Sequence, residues 1–345
     1  MMCSHINEAE LVRQASVARK LGSPFVARVL EAGQRQLFHA PATRHMIANW
    51  PSDPARAAMA MRFNGALHAL ARRGVVPALG ILYARKEGDF DGPIAAALAQ
   101  EDDFIATWMQ RTPQTNEVGR SAAIVAALLV AHADHGLPFE LLELGSSAGL
   151  NLNLARYAYD LGGAAIGPSN STVRLSPDWT GPAIRPATIE MVSARGVDID
   201  PLDPADVATR ERLLAYVWAD QPERAERLDR ALTIARDHPP QIDRDNAADW
   251  IERQLLSLQD EGVCRVVFHS MVLQYLHADD RARVASAIHA AAEQASVKRP
   301  LVWIQFEWNA DRTDVMLQMT SWPDGRKRDL ARCHAYAAWI DWIGA

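Results

Sequence analysis

A carboxylate followed by a run of small residues offers the clearest chemistry in this chain: Leu141-Leu142-Glu143-Leu144-Gly145-Ser146-Ser147-Ala148-Gly149-Leu150-Asn151. The apolar lead-in suits a buried parallel strand. Gly145 permits a sharp turn, and Gly149 lets a helix begin close to that strand. Backbone N–H groups at such a helix start favour a carboxylate or phosphate, and Glu143 adds a fixed negative charge beside them. Gly145, Ser147 and Gly149 also satisfy the Gly-x-Ser-x-Gly spacing of a nucleophile elbow, in which Ser147 attacks an acyl group. The plainest alternative is a βα turn whose small residues serve packing alone.

A second polar group lies upstream, in Thr112-Pro113-Gln114-Thr115-Asn116-Glu117-Val118-Gly119-Arg120. These residues open a helix over 121–135 that delivers the chain to the glycine-loop strand. In a functional reading Asn116, Glu117 and Arg120 project over the neighbouring pocket, where Arg120 meets a carboxylate of the ligand or substrate. In a structural reading they cap the helix.

The bulk properties narrow the classes. Hydrophobic residues make up 49% and charged residues 23% of the 345, as in ordinary globular proteins. A net charge of −6 argues against a general nucleic-acid binder. Cys3, Cys264 and Cys333 are far apart, and the histidines form no His-x-x-x-His pattern, so no metal site is expected and a reducing cytoplasm fits. Residues 1–10 lack a basic apolar signal segment, and the longest apolar run, 122–131, is too short to span a bilayer. A cytoplasmic protein without membrane partners is the expectation.

Helical periodicity dominates the first 135 residues, which read as an all-helical N-terminal cap. Helices are expected over 8–21, from Ser23-Pro24 onward with Ser23 as cap, over 55–73 after Asp53-Pro54, and over 91–110. Residues 136–345 read as an α/β domain with a helical insertion near 203–237. After the loop, 152–161 reads as an amphipathic helix. Strands are expected at 172–175, around 195–200, at 241–244, at 264–269 and at 301–307, with a closing antiparallel hairpin of 315–320 and 327–333. Helices fall at 204–218, 223–236, 249–258 and 279–295, and the aromatic tail 335–343 packs as core.

Four stretches taken in order resemble class I S-adenosylmethionine-dependent methyltransferases. They are the loop with Glu143, Gly145 and Gly149; the phrase Val197-Asp198-Ile199-Asp200-Pro201; the Asp245-Asn246-Ala247 turn; and the run from Phe268 through His269 and Ser270 to Leu276. The whole chain, including its Gln-Thr-Asn-Glu-Val-Gly-Arg phrase, also resembles a bacterial domain-of-unknown-function family whose C-terminal half looks like those methyltransferases. The resemblance implies a Rossmann-like sheet of parallel strands with a terminal antiparallel hairpin. It also implies S-adenosylmethionine as cofactor. Glu143, Gly145, Ser146, Ser147 and Gly149 would hold its methionyl end, Asp198 its ribose (with Asp178 the second choice), and Asp245 and Asn246 its adenine. His269 and Ser270 would line the same site, His269 acting as base where the acceptor needs one. A small-molecule acceptor would lie near Asn116, Glu117, Arg120 and Glu307. A binding module without catalysis and an α/β-hydrolase using Ser147 are the alternatives. The hydrolase lacks an obvious home for its oxyanion loop, and its base would be His269, His277 or His334.

Overall fold

A computed structural model describes residues 2–344, with side chains from Glu10 onward. The chain forms two compact units, residues 1–115 with 207–226, and residues 116–206 with 227–345.

The first unit is helical throughout. Helices α1 (Met2–Lys20), α2 (Pro24–Gln36), α3 (Pro41–Ala48), α4 (Met59–Arg73), α5 (Pro77–Arg85), α6 (Asp91–Gln100) and α7 (Asp102–Met109) are followed by α9 (Val207–Tyr216). Proline occupies the first turn of α2, α3 and α5, where its missing N–H costs nothing. Gly74 ends α4 in the left-handed region at φ +66°. Ser23 does not cap α2 as expected: its hydroxyl donates to Asp220, whose other oxygen accepts the Phe25 N–H at 3.1 Å. A carboxylate accepts more strongly than a hydroxyl, so Asp220 takes the capping role. The helix expected from Pro54 begins only at Met59, because Asp53 closes a tight turn on the Ala55 and Arg56 amides and Ala58 sits at φ +52°. The helix expected over 91–110 breaks at Glu101 into α6 and α7.

The second unit is α/β. Helix α8 (Ser121–His135) is buried along its length to Ala131, as its uniform apolarity requires. It packs against the sheet, so the compact division falls ahead of it, at residue 115, and not at 135. The strands are β1 (Phe139–Leu144), β2 (Ala158–Leu161), β3 (Ala164–Ile166), β4 (Arg174–Leu175), β5 (Asp178–Thr180) and β6 (Met191–Asp198), then β7 (Gln241–Arg244), β8 (Cys264–Ser270), β9 (Leu301–Trp308), β10 (Val315–Trp322), β11 (Arg326–Cys333) and β12 (Trp339–Trp342). Helices α10 (Pro222–Asp237), α11 (Ala247–Leu256) and α12 (Ala278–Ala292) intervene.

Nine strands make one sheet in the order β5-β12-β11-β10-β9-β8-β1-β6-β7. The run β9-β8-β1-β6-β7 is parallel throughout. Numbered along the chain, those strands have the order 3-2-1-4-5 of a doubly wound sheet, which reverses direction between β1 and β8. The expected hairpin forms from β10 and β11, and β12 and β5 extend it. The aromatic tail supplies β12, whose Trp342 stacks on Trp179 of β5 at 5.3 Å.

One expectation fails beside the loop itself. Residues 152–161 do not form a helix: a short 3-10 turn spans Leu150–Arg156, and the chain then enters β2. The Tyr157 and Tyr159 hydroxyls donate to the Leu150 and Leu154 carbonyls at 2.6 and 2.7 Å, and the Ala158 N–H joins Val173 O. Side-chain donors and a second small sheet thus take the groups a helical ladder would use. No helix among the described residues is long and apolar enough to cross a membrane.

Candidate functional site

Six consecutive backbone amides of the glycine loop are committed within the protein. Gly145 and Ser146 donate to Val197 O, both at 2.9 Å, and Gly149 donates to Ser146 O at 2.7 Å. Ser147 donates to Asp198 Oδ2 at 2.8 Å, while Ala148 and Leu150 share Asn116 Oδ1 at 3.1 and 3.3 Å. A loop with every donor spoken for does not cradle an anion, which corrects the expectation drawn from the glycine spacing. The glycines serve close approach instead. A Cβ on Gly145 would lie 2.4 Å from Val272 Cγ2, and one on Gly149 would lie 2.6 Å from the Pro240 ring.

Beneath this loop lies Glu143, 2% exposed at the end of the central strand. Its Oε1 accepts Asn151 Nδ2 at 3.4 Å. Its Oε2 and Asn151 Oδ1 are both buried without a hydrogen-bond partner among the described residues. Burial pushes the Glu143 carboxyl up to about 8, against weaker opposing help from Asn151 and Ser146, with Asp198 adding to the rise. Glu143 is a carboxyl held largely protonated at neutral pH, not the fixed negative charge expected. Asn151 was not singled out in the sequence. It lies eight residues beyond Glu143, and only the 3-10 turn brings the two together.

Asp198 ends β6, alongside β1, and belongs to the same site. Its Oδ1 accepts the Asp200 N–H at 2.9 Å while Oδ2 holds Ser147. Asp178 is excluded from this site because β5 lies at the opposite edge of the sheet. Asp245 pairs with Arg253 and accepts the Asn246 N–H at 2.8 Å, and Asn246 caps α11 through the Ala248 and Asp249 amides. Both residues spend their oxygens on the helix start, the structural role that an Asx residue ahead of a helix commonly takes.

His269 is fully buried at the end of β8. Its Nε2 lies 3.1 Å from the Trp303 indole nitrogen and its Nδ1 lies 2.7 Å from Glu307 Oε1. An indole can only donate, so Nε2 is the lone-pair nitrogen and the proton sits on Nδ1, facing Glu307. Both ring nitrogens are occupied, so His269 positions the turn after β8 and has no free nitrogen for the expected base role. Glu307 Oε1 also accepts the Val272 and Leu273 amides at 2.9 and 3.3 Å, fixing the turn after β8 where Met271 sits at φ +60°. His269→Ala is therefore expected to strand the Trp303 donor and open a cavity, costing about 2–4 kcal/mol of stability. Urea denaturation reads that loss, which a histidine used only in catalysis would not produce.

Ser147 has φ +56°, the strained backbone that an elbow would need. The three histidines considered as its base do not supply one: His269 is engaged as above, His277 is exposed at the start of α12, and His334 Nδ1 accepts the Tyr336 N–H at 3.2 Å.

Asn116 is redirected from substrate to the loop, as the acceptor of two of its amides. Glu117 caps the turn before α8 by accepting Gly119 N–H at 3.0 Å and faces Arg227 at 3.4 Å. Arg120 alone of the three keeps an open valence. Its Nε donates to Ala335 O at 3.0 Å and its Nη1 to Ser270 O at 3.2 Å. It makes no ion pair among the described residues, though it is only 8% exposed. Among the described residues no group of three or more His, Cys, Asp or Glu side chains could hold a metal ion.

The family described as "Uncharacterized protein conserved in bacteria (DUF2332)" matches residues 8–342. This chain belongs to that family. No curated protein and no solved structure matches it. The match runs through both compact units and takes in Arg120, Glu143, Asp198 and Glu307 alike.

Proposed function

We propose that the α/β unit is an S-adenosylmethionine-dependent methyltransferase acting on a small molecule. One observation carries this reading: the carboxyl end of the central strand holds two buried oxygens, Glu143 Oε2 and Asn151 Oδ1, that have no hydrogen-bond partner among the described residues. They lie under the end of β1, where the strand order reverses and doubly wound sheets bind their ligands.

The residues fit the donor groups of such a cofactor. Glu143 and Asn151 would hold the amino-acid ammonium. Asp198, whose oxygens accept the Ser147 and Asp200 amides, would meet the ribose hydroxyls. The carboxylate of the methionyl end has no anchor in the loop, whose amides are committed. When bound, the group supplies an electrophilic methyl on a cationic sulfur, which an acidic site favours. The chain's own contribution is orientation, worth roughly 7–11 kcal/mol in well-aligned transfers. His269 and Glu307 hold the β8 turn still while that alignment is kept.

Cation binding at a largely protonated Glu143 must release its proton. Affinity for S-adenosylmethionine or S-adenosylhomocysteine is therefore expected to rise by up to about tenfold per pH unit below pH ~8 and to level off above it. At 100 times its dissociation constant either ligand should add about 2.7 kcal/mol of stability. Thermal unfolding with each nucleoside at several pH values checks both statements, and the absence of any stabilisation overturns the reading. Binding without turnover on a broad acceptor panel would identify a binding module instead. Labelling of Ser147 by a fluorophosphonate probe would support the hydrolase.

A further inference from the structure

Arg120 is a guanidinium more than nine-tenths buried, with its fork only partly used. The two hydrogen bonds it makes are to carbonyls, Ala335 O and Ser270 O, which leave Nη2 without an acceptor among the described residues. Its ring neighbour is Phe306, 6.0 Å from the guanidinium carbon to the centroid. Glu117, Tyr336, Glu307 and Tyr275 lie within electrostatic reach, and burial works against the charge that they help to keep. Neither acid closes an ion pair with it, since Glu117 turns to Gly119 and Arg227 and Glu307 turns to His269 and the β8 turn. A buried cation is costly unless a counter-charge meets it. Arg120 sits at the carboxyl ends of β8 and β9, beside the point where the strand order reverses.

We propose that Arg120 is the anchor of a carboxylate subsite, which takes the single carboxylate of a small organic ligand. With Glu117 engaged by Arg227, the one guanidinium balances a single negative charge, whereas a phosphate dianion would leave an excess. The subsite lies within the site of the methyltransferase reading and rests on that reading only for its place in the reaction. Its carboxylate belongs either to the acceptor or to the methionyl end, for which the loop has no amides.

Benzoate and benzamide separate charge from shape. Benzoate is expected to bind about 10–100-fold more tightly to the full-length protein, the range for hydrogen bonds to charged groups. Arg120→Met should erase that preference. Arg120→Lys, which keeps the charge without the fork, should retain only part of it and serves if Arg120→Met does not fold. Equal affinity for the two probes, or a benzoate preference unchanged in both variants, overturns the subsite. S-adenosylhomocysteine and methylthioadenosine, which lacks the carboxylate, then assign the source. Loss of response to the first alone in Arg120→Lys places the methionyl carboxylate here, and an unchanged response to both assigns the subsite to the acceptor. A benzoate preference with no response to either nucleoside would keep the subsite and remove the cofactor reading.

Discussion

Glu143→Gln is expected to make the protein more stable at pH 8 and to leave it nearly unchanged at pH 5. The carboxyl titrates near 4.5 when exposed and near 8 when folded. Below pH 4.5 both states carry the proton and nothing is lost. As pH rises toward 8 the unfolded chain releases its proton while the folded chain holds it, so stability falls through that window. Above 8 the folded carboxyl also ionises and the loss levels off. Each unit of separation is worth about 1.4 kcal/mol, so the full effect is several kcal/mol. Glutamine does not titrate, keeps the acceptor for Asn151 Nδ2, and offers a donor to Asn151 Oδ1. Urea denaturation of both proteins at pH 5, 6.5 and 8 should show curves that diverge with pH. Parallel curves would mean that Glu143 is ionised in the folded state. The same variant should lose the pH dependence of nucleoside binding, because it has no proton to release.

Asn116→Ala carries the second large effect, and it acts through the loop. Two buried amides, Ala148 and Leu150, lose their shared acceptor. An unpaired buried donor costs about 1–3 kcal/mol. Asn116 also sits at φ +37°, where asparagine is tolerated better than alanine. The combined cost is about 2–5 kcal/mol. Asn116→Gly removes the acceptor but not the backbone tolerance, so it should recover about 1 kcal/mol of the loss. Hydrogen exchange at the Ala148 and Leu150 amides should accelerate in both variants. A change below about 0.5 kcal/mol in Asn116→Ala, the size of an ordinary surface substitution, would show that the loop does not depend on this clamp.

The two variants probe residues that share a loop but were legible to different degrees. Glu143 was marked by its place at the end of an apolar strand, yet its protonation state came from burial, which no local pattern reveals. Asn116 stands out in the sequence as a polar residue near a helix start and as a candidate for the acceptor pocket. Its reach across to residues 148 and 150 is a tertiary fact. His269 shows the same limit from another side: its strand was readable from Cys264 to His269, but the indole that occupies Nε2 lies on β9. At Asn246 a local rule prevails over the resemblance, because an Asx residue ahead of a helix commonly caps it, and Asn246 does.

The sequence by itself determined the helical character of the first unit, the five parallel strands, the closing antiparallel pair and the place of the glycine loop after β1. Hydrophobic period, proline and glycine positions and strand-like apolar runs act over a few residues, so they can be read without the fold. Only the tertiary structure decided where the loop's amides go, that residues 150–161 are a turn and a strand, that Asp178 lies far from Asp198, and that Arg120 is buried without closing an ion pair among the described residues. Those outcomes depend on which distant groups meet. A hydrogen bond or a desolvated charge takes its energy from neighbours remote in the chain, and local spacing carries no record of them.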